Sequence, residues 1–228
     1  MIITIDGPAG SGKSTLSTML AKELKFFCLN SGYLYRGMAY VLHTYYGYDQ
    51  DSLHDVSIED VKACVQSGKF RYVYEHELVK VFFGDDDISQ FLKQVSVAQY
   101  AAIIAQNPEV RQVIRSYKRE LVKDKDAIAE GRVCGAVVFP DAELKLFVTA
   151  LPEIRAQRVV KEQAARGTTL SFDEALEAIS KRDHADINRQ YDPLVQPADA
   201  VVLDTSELSK EQMLNKAIGL VKEALCSS

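Results

Sequence analysis

A glycine-rich octapeptide near the start of the chain constrains the fold more than any other sequence feature. Gly7–Ser14 reads Gly-Pro-Ala-Gly-Ser-Gly-Lys-Ser, which has the spacing G-x-x-x-x-G-K-S. It follows the β-branched run Met1–Ile5 and precedes a segment, Leu16–Leu24, whose apolar residues recur at helical spacing. Strand, glycine loop and helix in this order predict a loop whose backbone N–H groups and helix N-terminus bind phosphate.

The side chains of this loop predict a nucleoside triphosphate as the ligand. Lys13 brings a positive charge to the β- and γ-phosphate oxygens, and Ser14 can ligate Mg²⁺ beside them. The predicted triphosphate-binding residues of the loop, with the residue that follows it, are Gly7, Pro8, Ala9, Gly10, Ser11, Gly12, Lys13, Ser14 and Thr15.

Short apolar runs alternate with helical patterns along much of the chain. This alternation predicts an α/β fold with a parallel sheet and helices on both faces. The runs after the first strand are Phe26–Leu29, Ala127–Ala129, Leu144–Thr149 and Ala200–Leu203. Between Tyr48 and about Lys93 the pattern changes, because Phe70–Glu75 and Leu78–Phe83 are β-rich runs joined by a short polar turn. We expect an inserted antiparallel hairpin there.

Length and charge exclude several classes of protein. At roughly 150 residues per domain, the 228 residues allow one domain with an insertion. The net charge of −5 argues against a nucleic-acid backbone as the main partner. The longest stretch without a charged residue, Gln94–Pro108, is shorter than the roughly 18 to 20 apolar residues of a membrane span. With no leader pattern and widely spaced cysteines, we expect a cytoplasmic monomer with reduced thiols.

Arginines at predicted loop positions favour one kind of nucleotide-binding protein. The Asn-Lys pair Asn215–Lys216 continues into Ala-Ile and so does not form the Asn-Lys-x-Asp guanine motif of a GTPase. Guanidinium groups bind phosphate oxygens bidentately, and a phosphoryl-transfer enzyme with two phosphate-bearing substrates would need several of them. The arginines concerned are Arg36, Arg111, Arg132, Arg155, Arg158, Arg182 and Arg189.

Four motifs, in order, resemble those of the bacterial cytidylate kinases and together run through nearly the whole chain. They are the loop Gly7–Ser14, the segment Asn30–Arg36, the segment Ala129–Arg132 with Val137–Ala142 after it, and the segment Arg182–Arg189. The insertion at about residues 48–93 resembles the family's monophosphate-binding region, and residues 151–171 resemble its lid. The resemblance implies a single P-loop kinase domain over residues 1–228, with a five-stranded parallel sheet.

The resemblance also implies the reaction and the residues that perform it. The γ-phosphoryl group of ATP would pass to a pyrimidine nucleoside monophosphate, CMP or dCMP, with Mg²⁺ held by Ser14 and Glu130. Arg158 joins the ATP-binding residues and, with Arg155 and Arg166, is a candidate to reach the phosphates from the lid. The implied catalytic residues are Lys13, Arg132, Arg182 and Arg189. The implied acceptor-binding residues are Ser31, Arg36, Ala102, Arg111, Arg132, Val133, Asp186 and Arg189.

Two positions depart from the family pattern where the base is recognised. Val133 stands where the family has an Asp that accepts a hydrogen bond from the cytosine amino group, and Ala102 replaces a Ser, while Arg111 is kept. A base with carbonyl oxygens and an apolar edge, in dTMP or UMP, is therefore the first alternative acceptor. A nucleotide-binding regulatory module without kinase activity is the second alternative.

Overall fold

The computed structural model describes residues 1–165 and 167–226, so Arg166 lies outside the described residues. The chain forms two compact units. The first unit contains Met1–Phe26 and the described residues from Asp126 onward, and the second unit is Phe27–Lys125. The first unit therefore contains the glycine loop, whereas the second contains the predicted hairpin.

Five strands form a parallel sheet in the order β2-β6-β1-β7-β8. In this order they are β2 (Phe27–Asn30), β6 (Ala127–Glu130), β1 (Ile2–Asp6), β7 (Leu144–Thr149) and β8 (Val201–Asp204). Ile3 of β1 pairs with Ile128 on one side and with Leu144 on the other, so β1 is central and its inner residues are buried. The sheet predicted from the alternating apolar runs is confirmed.

The helices of the first unit begin where local sequence signals place them. They are α1 (Lys13–Leu24), α6 (Pro152–Ala164), α7 (Phe172–Ile187) and α8 (Lys210–Cys226). Helix α7 starts with a capping box: Ser171 Oγ accepts from the Glu174 N–H, and the Glu174 carboxylate accepts from the Ser171 N–H. Helices α6 and α7 pack through a small apolar cluster around Ala156, Ala175 and Ile179.

The second unit combines helices with a small antiparallel sheet. Its helices are α2 (Ser31–Tyr46), α3 (Ile58–Gln66), α4 (Val95–Ile104) and α5 (Pro108–Leu121). Besides β2, its strands are β3 (Phe70–Glu75), β4 (Leu78–Phe83) and β5 (Asp86–Asp87), which form the antiparallel sheet. Strands β3 and β4 have the bounds that the sequence predicts for the hairpin. A Cβ on Gly37 of α2 would lie 2.9 Å from Val81 of β4, so glycine permits the close approach of this helix to the hairpin.

Two expectations about the whole chain can be compared with the described residues. Among the described residues, Cys28, Cys64, Cys134 and Cys226 form no disulfide bond with one another. Within the described part of the chain, no helix is both long enough and apolar enough to pass through a bilayer.

Candidate active site

The glycine loop holds the buried side chain of Lys13 against its own backbone. Gly10 and Gly12 have φ values of 72° and 96°, in the left-handed region that favours glycine. Lys13 is only 4% exposed, and its Nζ donates to the Pro8 carbonyl oxygen and to Ser11 Oγ. The loop thus presents its cation from a fixed position at the first turn of α1.

The environment of Lys13 disfavours its positive charge. Burial is the main cause and the nearby Arg132 guanidinium adds to it, so the pKa of the Lys13 ammonium falls from 10.5 to about 7. The carboxylates of Glu130, Asp6 and Asp186 act in the opposite direction but do not offset this effect. An anion at the loop would therefore relieve a cation that the free protein stabilises poorly.

Two candidate oxygen ligands lie beside the loop, one in the first turn of α1 and the other at the carboxyl end of β6. Ser14 Oγ donates to Glu130 Oε2 at 3.2 Å, and Glu130 is the buried last residue of β6. Mg²⁺ prefers hard oxygen ligands and is often bound through one or two carboxylates together with substrate phosphates. Among the described residues, no group of three or more His, Cys, Asp or Glu side chains forms a metal site. The Ser14 hydroxyl and the Glu130 carboxylate fit a magnesium ion whose other ligands come from the phosphates of a bound nucleotide.

A buried carboxylate collects three of the predicted phosphate-binding arginines, and we call this group the Asp186 cluster. Asp186 is 5% exposed on α7. Arg132 Nε donates to its Oδ2 at 2.8 Å, Arg182 Nε lies 3.5 Å from the same oxygen, and Arg189 Nη1 lies 3.6 Å from Oδ1. The structure therefore brings together Arg132, Arg182, Arg189 and Asp186, four of the residues named from the sequence.

The Asp186 cluster carries more positive than negative charge. Burial raises the pKa of Asp186, but the three arginines outweigh it, and the pKa lies below its usual value. Three cations around one ionised carboxylate leave an excess of positive charge. Such a group suits a phosphate anion, since guanidinium forks bind its oxygens through charge-assisted hydrogen bonds.

A cavity of about 620 Å³ lies beside the loop and is lined in part by Arg158 and Met213. Arg158 Nη1 donates to Thr205 Oγ1 at 2.9 Å, and its Nη2 donates to the Thr205 carbonyl oxygen. The buried Thr205 hydroxyl in turn donates to the Ser11 carbonyl oxygen at 2.9 Å. Arg158 Nη1 also donates to the Ser11 carbonyl oxygen at 3.3 Å, so Arg158 is attached to the loop both directly and through Thr205.

In the second unit, the predicted acceptor-binding residues lie on three helices. Ser31 is buried at the start of α2, and Arg36, one turn later, donates through Nε to the Gly32 carbonyl oxygen. Ala102 is half-buried on α4. Arg111 is buried on α5, where its Nη1 donates to the Ala105 carbonyl oxygen at 3.1 Å.

An aromatic ring of α2, that of Tyr35, contacts two cations of α5. We call these two cations with their ring the Tyr35 pair. The Arg111 guanidinium lies 6.0 Å from the centre of the Tyr35 ring, and Lys118 Nζ lies 5.3 Å from it. Lys118 is only 3% exposed. The two cations are seven residues apart, which places them on one face of α5.

Sequence comparison decides the family. The family model described as cytidylate kinase matches residues 3–223 of the chain. The chain belongs to the cytidylate kinase family. Curated relatives named "Cytidylate kinase" align over nearly their whole length: that of Chlamydia trachomatis serovar A is 38% identical, covering 99% of this chain and 100% of the relative, and that of Listeria monocytogenes serovar 1/2a is 32% identical, covering 96% and 95%.

A solved structure supports the fold alone. An uncharacterized protein from Eubacterium ventriosum superposes with a TM-score of 0.53 at 12% identity and covers 97% of this chain and 98% of its own. As a member of the cytidylate kinase family, the protein is an ATP-dependent nucleoside monophosphate kinase, as predicted. Membership of this family therefore favours a kinase over the second alternative, a nucleotide-binding regulatory module without kinase activity.

Several residues that shape the site of this kinase were not predicted from its sequence. The buried Asp6 carboxylate accepts the N–H groups of Cys134 and Gly135 at 2.8 and 2.7 Å, and so fixes the turn after Val133. Thr205 is the second example. Both Asp6 and Thr205 stand at the carboxyl ends of parallel strands, where α/β proteins bind ligands, and this position could have identified them.

Proposed function

We propose that this kinase transfers the γ-phosphoryl group of ATP to CMP or dCMP. The name shared by the curated relatives, which align over nearly the full chain, is the observation that carries the choice of acceptor. Retention of Arg111 on α5 is consistent with that choice, since its guanidinium can donate to the carbonyl oxygen of cytosine.

In this proposal the loop and the cavity beside it bind ATP. The N–H groups of the loop and the Lys13 ammonium hold the β- and γ-phosphates, and Arg158 adds a cation at the cavity wall. Phosphoryl transfer requires mostly positioning and charge neutralisation, so no general base is assigned. The catalytic residues are Lys13, Arg132, Arg182 and Arg189.

The acceptor-binding roles proposed here are those that the family resemblance implies. Arg36, Arg132 and Arg189 hold the phosphate of the acceptor, and Arg182 acts on the transferring group. Asp186 binds the sugar hydroxyls in addition to anchoring the arginines of its cluster. The residues assigned to the base and the wall around it are Ser31, Ala102, Arg111 and Val133.

The Ser14 hydroxyl and the Glu130 carboxylate would hold Mg²⁺, whose charge neutralises that of the phosphates when it is bound. Residues 151–171 are proposed as the lid, which excludes water from the reacting phosphates and so limits hydrolysis of ATP. Helix α6 and its Arg158 belong to this segment.

A second candidate acceptor, dTMP or UMP, is favoured by one observation. Val133 is buried and apolar, so its side chain offers no acceptor for the amino group of cytosine. The methyl group of Ala102 on α4 offers none either. A base that lacks an exocyclic amine loses nothing at these two positions.

Initial rates with ATP and Mg²⁺ test the choice of acceptor. The values of kcat/KM for CMP, dCMP, UMP, dTMP and AMP are compared, and we expect CMP and dCMP to exceed dTMP and UMP by roughly 10- to 100-fold. A preference for dTMP or UMP would establish the second candidate instead. Equal rates would contradict both.

A substitution at Val133 sharpens this test. Val133→Asp supplies a carboxylate acceptor, so the ratio of CMP to UMP turnover should rise by about tenfold. Val133→Leu is the matched control, because it stays apolar and should leave the ratio unchanged. A ratio that responds equally to both variants would remove Val133 from base recognition.

A further inference from the structure

A buried ion pair encloses one residue of the glycine loop. Arg155 of α6 and Asp183 of α7 form this pair, and both are largely buried. Arg155 Nη1 donates to the Ala9 carbonyl oxygen at 3.0 Å, while the Ala9 N–H donates to Asp183 Oδ1 at 3.2 Å. Both polar atoms of the Ala9 backbone are therefore bound by the two members of one ion pair, which we call the Ala9 clasp.

The guanidinium of Arg155 also attaches the clasp to the sheet. Its Nε donates to the carbonyl oxygen of Ala150, the residue that follows β7, at 3.0 Å. One planar fork thus contacts Ala150, Ala9 and Asp183. A Cβ on Gly10 would lie 3.1 Å from the Arg155 Cβ, so loop and helix are in close contact. A lysine carries the same charge but cannot reproduce this fork.

The helix that supplies the acid of the clasp also carries part of the Asp186 cluster. Arg182 precedes Asp183 on α7, and Asp186 follows it by three residues, which places it on a neighbouring position of the same face. The clasp therefore joins the loop that contains Lys13 to the helix turn that contains Arg182 and Asp186. Both ends lie in the first unit.

We propose that Arg155 and Asp183 are positioning residues of phosphoryl transfer, which fix Arg182 and Asp186 relative to the loop. The inference rests on the roles proposed for Lys13, Arg182 and Asp186. The hydrogen bonds of Arg155 go to protein atoms, so the clasp acts through the residues it aligns. Misplacement of a reacting group by about 1 Å can reduce a rate by about 100-fold.

Two variants separate the charge of the clasp from its geometry. Asp183→Asn keeps an oxygen for the Ala9 N–H but removes the charge that faces Arg155. Arg155→Lys keeps the charge but removes the fork. With saturating acceptor, we expect each variant to lower kcat by 10- to 100-fold and to change the KM for ATP by less than threefold. The loop amides and Lys13 are unchanged in both variants.

Glu177→Gln provides the matched control on the same helix. Glu177 pairs with Lys181 at the surface of α7, where the two side chains are 64% and 75% exposed. Its loss should change kcat by less than twofold, because an exposed pair contributes little.

Loss of a buried ion pair also lowers stability, so all rates are measured below the unfolding onset of the least stable variant, as followed by circular dichroism. If kcat is unchanged in both variants while the unfolding temperature falls, the clasp is only structural and the proposal is wrong. The proposal would also be overturned if the variants changed only the KM for ATP, or if Arg155→Lys kept the kcat of the wild type. The best acceptor of the wild type is used throughout. Failure of the proposed acceptor therefore shows in the rates of the wild type, whereas failure of the proposed role of the clasp shows only in the rates of the variants.

Discussion

The two units hold their clustered cations in different ways. In the Asp186 cluster of the first unit, Arg132, Arg182 and Arg189 surround one carboxylate. In the Tyr35 pair of the second unit, Arg111 and Lys118 contact an aromatic ring, and among the described residues Lys118 forms no ion pair. The cations lie around a carboxylate in the first unit and beside an aromatic ring in the second.

The two anchors differ in strength and in direction. A carboxylate accepts short, directional hydrogen bonds from guanidinium groups, so it fixes the orientation of each arginine before any ligand binds. A ring attracts a cation through its quadrupole, by about 0.5 to 2 kcal/mol. The Asp186 cluster therefore favours precise placement of charge, whereas the Tyr35 pair fixes the direction of its cations less strictly.

The largest effect that we expect from this contrast follows Asp186→Asn. The amide has the same shape but no charge, so the three arginines lose their common anchor and repel one another. We expect kcat/KM to fall on the order of 100-fold with the best acceptor. Initial rates measure it, with Asp173→Asn as the control because Asp173 is exposed in the first turn of the same helix. A loss of less than fivefold would show that the arginines are held without the carboxylate.

Local chemistry explains which parts of this arrangement could be predicted from the sequence. The glycine loop and the hairpin depend on residues close in the chain, and Phe70–Glu75 and Leu78–Phe83 have the predicted bounds. Strand β7 also has its predicted bounds, Leu144–Thr149, whereas the other strands of the parallel sheet differ by about one residue: β8 is Val201–Asp204, where the apolar run predicts Ala200–Leu203. Apolar patterns locate the interior of a strand better than its ends.

The parts that could not be predicted depend on contacts between distant residues. Arg155 is named from the sequence as a lid arginine that reaches for phosphate, but its guanidinium contacts Ala9 and Ala150. Lys118 gives no sequence signal, because a lysine in an amphipathic helix is usually solvated. Its burial follows from the packing of α5 near Tyr35, which lies 83 positions earlier.

A smaller effect is expected when the aromatic anchor is removed. Tyr35→Leu keeps an apolar side chain but loses the ring beneath Arg111 and Lys118. We expect the KM for the acceptor to rise by about three- to tenfold, because two contacts of modest strength are lost. The KM for ATP should change by less than twofold. Tyr35→Phe is the control that keeps the ring and should behave as the wild type, and equal behaviour of the two variants would rule out an anchoring role for the ring.

The smallest effect concerns Lys13, which neither a carboxylate nor a ring anchors. Its Nζ donates to Pro8 and Ser11, and burial lowers the pKa of the ammonium to about 7. At pH 8 most of the free protein therefore carries a neutral Lys13. Triphosphate oxygens favour the charged form and raise this pKa, so ATP binding should take up nearly one proton at pH 8, where the phosphates of ATP are already ionised.

Calorimetry of ATP binding in EDTA measures this uptake. At pH 8, the binding enthalpy should differ between phosphate and Tris buffers, because the proton comes from buffers with different ionisation enthalpies. Affinity should fall as the pH rises through 7 toward 10.5, since the cation must then be formed on binding. In Lys13→Arg the guanidinium stays charged throughout this range, so the difference between buffers should disappear. Equal enthalpies for the wild type would mean that the loop alone stabilises the Lys13 ammonium, as a carboxylate does for the arginines of the Asp186 cluster.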